Sequence, residues 1–173
     1  MELNNKQFWC DTYGENVEKS FCVDRLYDLG LTGFMNLEKK KNIYAHDMFS
    51  VFPSDLKTVR TPFFKAYEKF EIDPQFAVTI NLKDMQRYKE LYPNIVVVFD
   101  VLWDEKNCKK LIDGVEYSVQ PMHKTYAGFI QDIRKAVIAS GNNKVEYQGR
   151  VNDTKGNAKA SYVFDVRELQ QLG

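Results

Sequence analysis

Nothing in this chain supplies a disulfide framework, a zinc ribbon or a membrane-spanning helix. Its three cysteines, Cys10, Cys22 and Cys108, are odd in number, far apart and form no C-x-x-C pair, so they read as reduced thiols of a cytoplasmic protein. No apolar run reaches the roughly 18 residues that a span requires, and MELNNKQFWC lacks a basic segment followed by an apolar one. The expectation is therefore a protein that is neither exported nor membrane-bound. Net charge is lacking as well, because 24 Lys and Arg balance 24 Asp and Glu. That excludes a global basic field, the usual source of non-specific nucleic-acid affinity, while leaving room for a local basic patch. There is also no P-loop, no G-x-G-x-x-G, no G-x-S-x-G and no internal repeat, which removes the phosphate-cradle, dinucleotide, serine-hydrolase and solenoid readings.

What is present is enough for one domain with a real core: 173 residues, 44% of them apolar and 14% aromatic. Residues 14–29 predict a helix, with Glu18, Cys22, Leu26 and Leu29 on one stripe, Glu15 a turn earlier and Gly30 as its stop. Residues 31–41 predict a strand running into Lys39, Lys40 and Lys41. Residues 81–92 predict an amphipathic helix stopped by Pro93-Asn94, and the β-branched run 95–103 predicts a strand buried on both faces. Beyond it come a hairpin around Asp113-Gly114, a helix over 124–140 on the stripe Tyr126, Phe129, Ile130, Ile133 and Val137, and a closing hairpin around Val145–Tyr147 and Tyr162–Phe164. The aromatic segment 62–76 reads as an insertion packed on the core. The whole is an α/β chain with a core at about 14–103 and a C-terminal helix and hairpin over 104–173.

The chemistry concentrates in NIYAHDMFSVFPSDLKTVR, residues 42–60, which reads as two short strands joined at Pro53-Ser54. Side chains alternate along a strand, so Asp55 and Lys57 point one way and Leu56 points into the core behind. A hairpin also brings Asp47 towards Asp55. Two carboxylates about 4 Å apart repel by roughly 4 kcal/mol at an effective dielectric near 20, so the pair calls for a cation, and Mg²⁺ (or Mn²⁺) suits oxygen ligands. A lysine beside them can contact a phosphate oxygen or act on a water. The chemistry implied is metal-assisted phosphodiester hydrolysis. The helix acids Glu15 and Glu18 either favour the positive end of their helix or join this site.

Asp47, the element Asp55-Leu56-Lys57 and a preceding acidic helix together resemble the PD-(D/E)XK nuclease superfamily. The resemblance covers about residues 14–103, and His46 stands where the family name has proline. It implies a restriction-endonuclease-like core, a central mixed sheet flanked by helices, and a Mg²⁺-dependent deoxyribonuclease. Asp47, Asp55 and Glu18 (or Glu15) would hold the metal, and Lys57 would act on the water or the scissile phosphate. Arg60, Lys39, Lys40, His46 and Gln86 become candidate nucleic-acid contacts, although the tyrosine that accompanies such a glutamine in some branches is not at the usual spacing. DNA would be the partner and a homodimer is plausible for cutting both strands. Two alternatives stand beside this reading: a non-catalytic member of the fold that binds nucleic acid or protein, and an interaction protein that docks a partner through segment 62–76.

Overall fold

A computed structural model describes residues 20–26, 33–42, 44–49, 52–146 and 160–172. In chain order these form β1 (Phe34–Met35), β2 (Met48–Phe49), β3 (Pro53–Val59), α1 (Ala66–Phe70), β4 (Ala77–Asn81), α2 (Leu82–Leu91) and β5 (Val96–Trp103). There follow β6 (Lys109–Ile112), β7 (Val115–Ser118), β8 (Met122–Phe129), α3 (Ile130–Ala139), β9 (Lys144–Glu146), β10 (Ala160–Asp165) and β11 (Gln170–Gln171). A π-helical turn spans Phe21–Arg25 and a 3-10 turn spans Leu37–Lys40. Among the described residues no helix is long and apolar enough to cross a membrane.

The β-branched run of β5 is the centre of a six-stranded mixed sheet ordered β1-β2-β3-β5-β8-β11. β5 lies parallel to β3, with Asp55 beside Val97 and Lys57 beside Phe99, and antiparallel to β8, with Phe99 beside Tyr126. Parallel neighbours need a crossover; α1, β4 and α2 lie in that connection.

Alternation along β5 sends Val97, Phe99, Val101 and Trp103 to one face. There they meet Tyr88 of α2, Ile130, Ile133 and Val137 of α3, and Val78, Ile80 and Phe164 of a second sheet, ordered β4-β10-β9. The rings of Phe99 and Phe164 touch edge to face across the two sheets at 5.6 Å. On the other face Leu56 and Val98 pack with Phe21, Leu26 and Met48. The insertion 62–76 packs Ala66 and Ile72 against Ala77 and Val163, with Phe63 and Phe70 stacked alongside, as expected of it.

Several predicted elements appear in place: the helix at Leu82–Leu91, the strand at Val96–Trp103, the hairpin closed by Asp113 and Gly114, and the pairing of β9 with β10. Asp113 and Gly114 both take positive φ, 52° and 80°, the left-handed pair that a two-residue hairpin turn requires. Three expectations are corrected. Pro53 and Ser54 open β3 instead of turning the chain, because a proline is tolerated at the first position of a strand. Among the described residues the strand expected over 31–41 spans Phe34–Met35 and ends there, because Asn36 Oδ1 accepts the Glu38 N–H and starts a 3-10 turn. The helix expected over 124–140 begins only at Ile130. Its first six residues belong to β8, since β5 has a second edge to satisfy and tertiary pairing overrides the helical period. Of the helix expected over 14–29, only 20–26 falls within the described residues.

Candidate active site

β2 and β3 pair with Phe49 opposite Pro53 and Met48 opposite Ser54. One step further in the same register, Asp47 stands opposite Asp55, and directly opposed residues of an antiparallel pair present their side chains to the same face. The ladder itself ends there. Asp47 Oδ2 instead accepts the Leu56 N–H at 2.9 Å, so a side chain supplies the acceptor that a longer β2 would have offered. The approach to Asp47 is fixed by Asn36, whose N–H donates to the Asp47 carbonyl and whose Nδ2 donates to the His46 carbonyl, both at 2.9 Å. Asp47 and Asp55 are buried, 7% and 1% exposed, and each carboxyl group lies close enough to act on the other's charge.

Cations flank the pair on both sides. Lys39 Nζ lies 2.6 Å from Asp47 Oδ1 and also donates to the Ala45 carbonyl at 2.9 Å. Lys57 Nζ lies 2.8 Å from Asp55 Oδ2, as expected from its position two residues along the strand, and 2.7 Å from Asp84 Oδ2 on the first turn of α2. Arg87 continues the chain of charges to Asp84 Oδ1 at 3.3 Å. Tyr88, fully buried on α2, donates its hydroxyl to Asp55 Oδ2, and the Lys57 ammonium rests 5.6 Å from the centre of its ring.

Electrostatics divides the two acids. Burial and the neighbouring charge of Asp55 push Asp47 up to about 7, against the pull of Lys39. Burial alone would raise Asp55 too, but Lys57 and the hydrogen bonds from Asp47 and Tyr88 outweigh it and hold Asp55 below the usual carboxylate range. Burial and the charge on Asp55 keep Tyr88 neutral, well above its ordinary value. Below neutrality the pair therefore retains one proton and carries one negative charge. Two hard oxygen donors sharing a proton form a site where a cation can replace that proton.

Comparison with known families, curated proteins and solved structures returns no match to this chain. The site is therefore described by its own geometry. Of the residues singled out in the sequence, Asp47, Asp55, Lys57 and Lys39 come together. Glu15 and Glu18 lie outside the described residues. Among the described residues no group of three His, Cys, Asp or Glu side chains converges on a metal position, so the acid pair supplies two of the donors such a centre would use. His46 is buried beside the pair, with its ring edge-on to Tyr92 at 5.4 Å, and burial lowers its pKa. Of Lys40, only the backbone, in the 3-10 turn, is described. Gln86 is turned to solvent and donates to Glu90. Arg60 lies against Asp100, donating to its carboxylate at 2.6 Å.

Sequence reasoning missed Asp84, Arg87 and Tyr88 as neighbours of Asp55 and Lys57. One signal was available. Asp84 and Tyr88 are four residues apart in a predicted helix and so share a face. Tyr88 lies on the buried side of that helix, and its polar tip has a partner because a buried hydroxyl needs one.

Proposed function

We propose that this protein is a metal-dependent deoxyribonuclease of the PD-(D/E)XK type, hydrolysing phosphodiester bonds in DNA and acting in the cytoplasm. The observation that carries the proposal is the buried pair Asp47 and Asp55, with Lys57 two residues along the same strand and bonded to the second acid. The order of elements supports it too: a β1-β2-β3 meander, a crossover containing α2, then buried β5 beside β3. The resemblance implies a similar order: acidic helix, strand, Asp47, the Asp55-Leu56-Lys57 strand, helix and buried strand.

Asp47 and Asp55 would hold Mg²⁺ or Mn²⁺, with Glu18 or Glu15 completing or orienting the shell. A bound ion of this kind lowers the pKa of its water and offsets charge on the phosphate. Lys57 would place its ammonium at the attacking water or the phosphate oxygens, steadied by Asp84, while Tyr88 fixes the orientation of the Asp55 carboxylate. Lys40 stands as a candidate contact to the DNA backbone, while buried His46 would support Asp47 from behind, and a homodimer would allow both strands to be cut.

The test is cleavage of supercoiled, linear and branched DNA with Mg²⁺ or Mn²⁺ by the wild-type protein and by Asp55→Ala and Lys57→Ala, each shown to be folded by circular dichroism. The variants are expected to lose activity by about 10³-fold or more, since several kcal/mol of transition-state stabilisation are removed. Wild-type protein inert towards all three substrates with either metal would overturn the proposal.

One observation favours a second reading, a non-catalytic member of the same fold. Each carboxylate already has its own lysine, and Asp55 is nearly sealed by Lys57 and Tyr88. On that reading the charges stabilise the β2–β3 junction, and calorimetry would find no Mn²⁺ binding that depends on Asp55.

A further inference from the structure

The face of the six-stranded sheet turned away from Asp55 and α2 carries another buried carboxylate, in the middle of β5. Asp100 is 3% exposed, and donors from the end of β3 and from β8 are gathered at it, with a third element reaching it through Thr125. Arg60, at the end of β3, donates Nη2 to Asp100 Oδ2 at 2.6 Å and Nη1 to the Asp100 carbonyl at 2.7 Å. His123, on β8, sets Nε2 2.9 Å from Oδ1, and Thr125 Oγ1 donates to the same oxygen at 3.4 Å. Arg25, from the π-helical turn, donates Nε to Thr125 Oγ1 at 3.1 Å.

The charges in this cluster do not cancel. Two guanidinium groups accompany one carboxylate, Arg60 directly on it and Arg25 on its neighbour Thr125, with an imidazole beside them. Their depths differ as well: the Asp100 side chain is 5% exposed, whereas those of Arg60 and His123 are 33% and 43% exposed. The acid is the floor, and Arg60 and His123 form the rim. With Nε2 of His123 against Asp100, Nδ1 lies on the far side of the ring. Guanidinium groups offer several donors in a rigid fork that matches the oxygens of a phosphate group, and orienting them in advance lowers the entropy lost on binding.

We propose that Arg25, Arg60 and His123 form an anion site for a phosphate group, held in shape by Asp100 and Thr125. The site lies on the opposite face from the acid pair, needs no metal and does not rest on the proposed reaction. The phosphate could come free from solution or as part of a nucleic-acid backbone; the chemistry recognised is the same.

The experiment is calorimetric titration of the metal-free full chain, in chelator and at low salt, with inorganic phosphate and separately with a short single-stranded oligodeoxynucleotide. The variants are Arg25→Gln and His123→Gln, both of which leave the Arg60–Asp100 pair intact, with folding checked by circular dichroism and urea unfolding. Each is expected to weaken binding by about tenfold, the loss of one charge-assisted hydrogen bond, and Asp55→Ala is expected to bind as wild type does. Binding of inorganic phosphate identifies a free-phosphate site, and binding of the oligonucleotide alone identifies a backbone contact, provided that both variants weaken it. Absence of binding by either probe, or wild-type affinity in either folded variant, overturns the site. Because no metal is present and Asp55→Ala serves as a control, the outcome is independent of whether the acid pair cleaves DNA.

Discussion

Asp55 and Asp100 sit on adjacent parallel strands and are equally deep, yet one sheet gives them opposite surroundings. Asp55 faces a second acid, Asp47, across the β2–β3 register, and the pair keeps a proton to limit its own repulsion. Asp100 sits on the other face and is met by Arg60 and His123, with Arg25 beyond Thr125. Burial costs a carboxylate the same solvation in either place. What differs is the partner: Asp55 shares its surroundings with a second carboxylate, each answered by its own lysine, whereas two guanidinium groups gather near Asp100, where an anion can be held.

The comparison can be broken most forcefully at Arg60. Arg60→Ala removes the strongest partner of a buried acid, and the expected loss is about 2–3 kcal/mol by urea unfolding, the low end for a buried pair because Arg60 is one-third exposed. A loss below about 0.5 kcal/mol would mean that the hydrogen bonds from His123 and Thr125 are enough to hold Asp100 in place. On the other face, Tyr88→Phe deletes a single hydroxyl and leaves Asp55 short of one donor. The expected cost is about 1–2 kcal/mol, together with a rise in the Asp55 pKa that carboxyl NMR titration can follow.

The acid pair also gives stability a definite pH dependence. Asp47 is raised above its ordinary 3.8, so the folded state holds a proton that the unfolded chain has released. Its contribution is complete below that ordinary value and is lost as pH rises through about 7. Asp55 is shifted the other way, so its contribution is present above the ordinary carboxylate range and is lost as pH falls beneath it. Stability should therefore peak near the ordinary carboxylate value and decline from there until about pH 7, by at most about 1.4 kcal/mol per pH unit for one proton. Asp47→Asn, which cannot release that proton, should flatten the decline in urea unfolding performed across this range. The smallest effect is expected at Gln86, whose side chain reaches only Glu90 on the exposed side of α2. Gln86→Ala should leave both stability and any nuclease activity within about 0.5 kcal/mol of wild type.

The parts legible in the sequence were those with a strong local cause. The helix over Leu82–Leu91 had its apolar stripe and its Pro93 stop, β5 its unbroken β-branched run, and the β6–β7 turn its Asp-Gly pair. The side-by-side placement of Asp55 and Lys57 followed from strand alternation alone. The parts that were not legible depended on distant partners. Tyr126 and Phe129 fit a helical stripe as well as they fit β8, and only the unfilled edge of β5 decides between the two. Nothing near β4 announced that it would pair with a strand at 160–165. Gln86 and Tyr88, two residues apart on one helix, are sent to opposite environments because a helix turns by about 200° over two residues. Arg60 was read as a phosphate contact beside the acid pair, but alternation at the end of β3 carries it to the other face.

By itself the sequence determined the mixed α/β character, the main helices and strands, and the presentation of an acid and an amine together on one strand. These follow from periodicity, turn residues and alternation, which act over a few neighbouring positions. Tertiary structure alone decided that β8 is a strand, that Asp47 faces Asp55, that Asp84 and Tyr88 complete that cluster, and that Asp100 gathers Arg60 and His123 from β3 and β8. Each of these requires residues tens of positions apart to be brought within a few ångströms, and that proximity is set by sheet register and by which faces are buried.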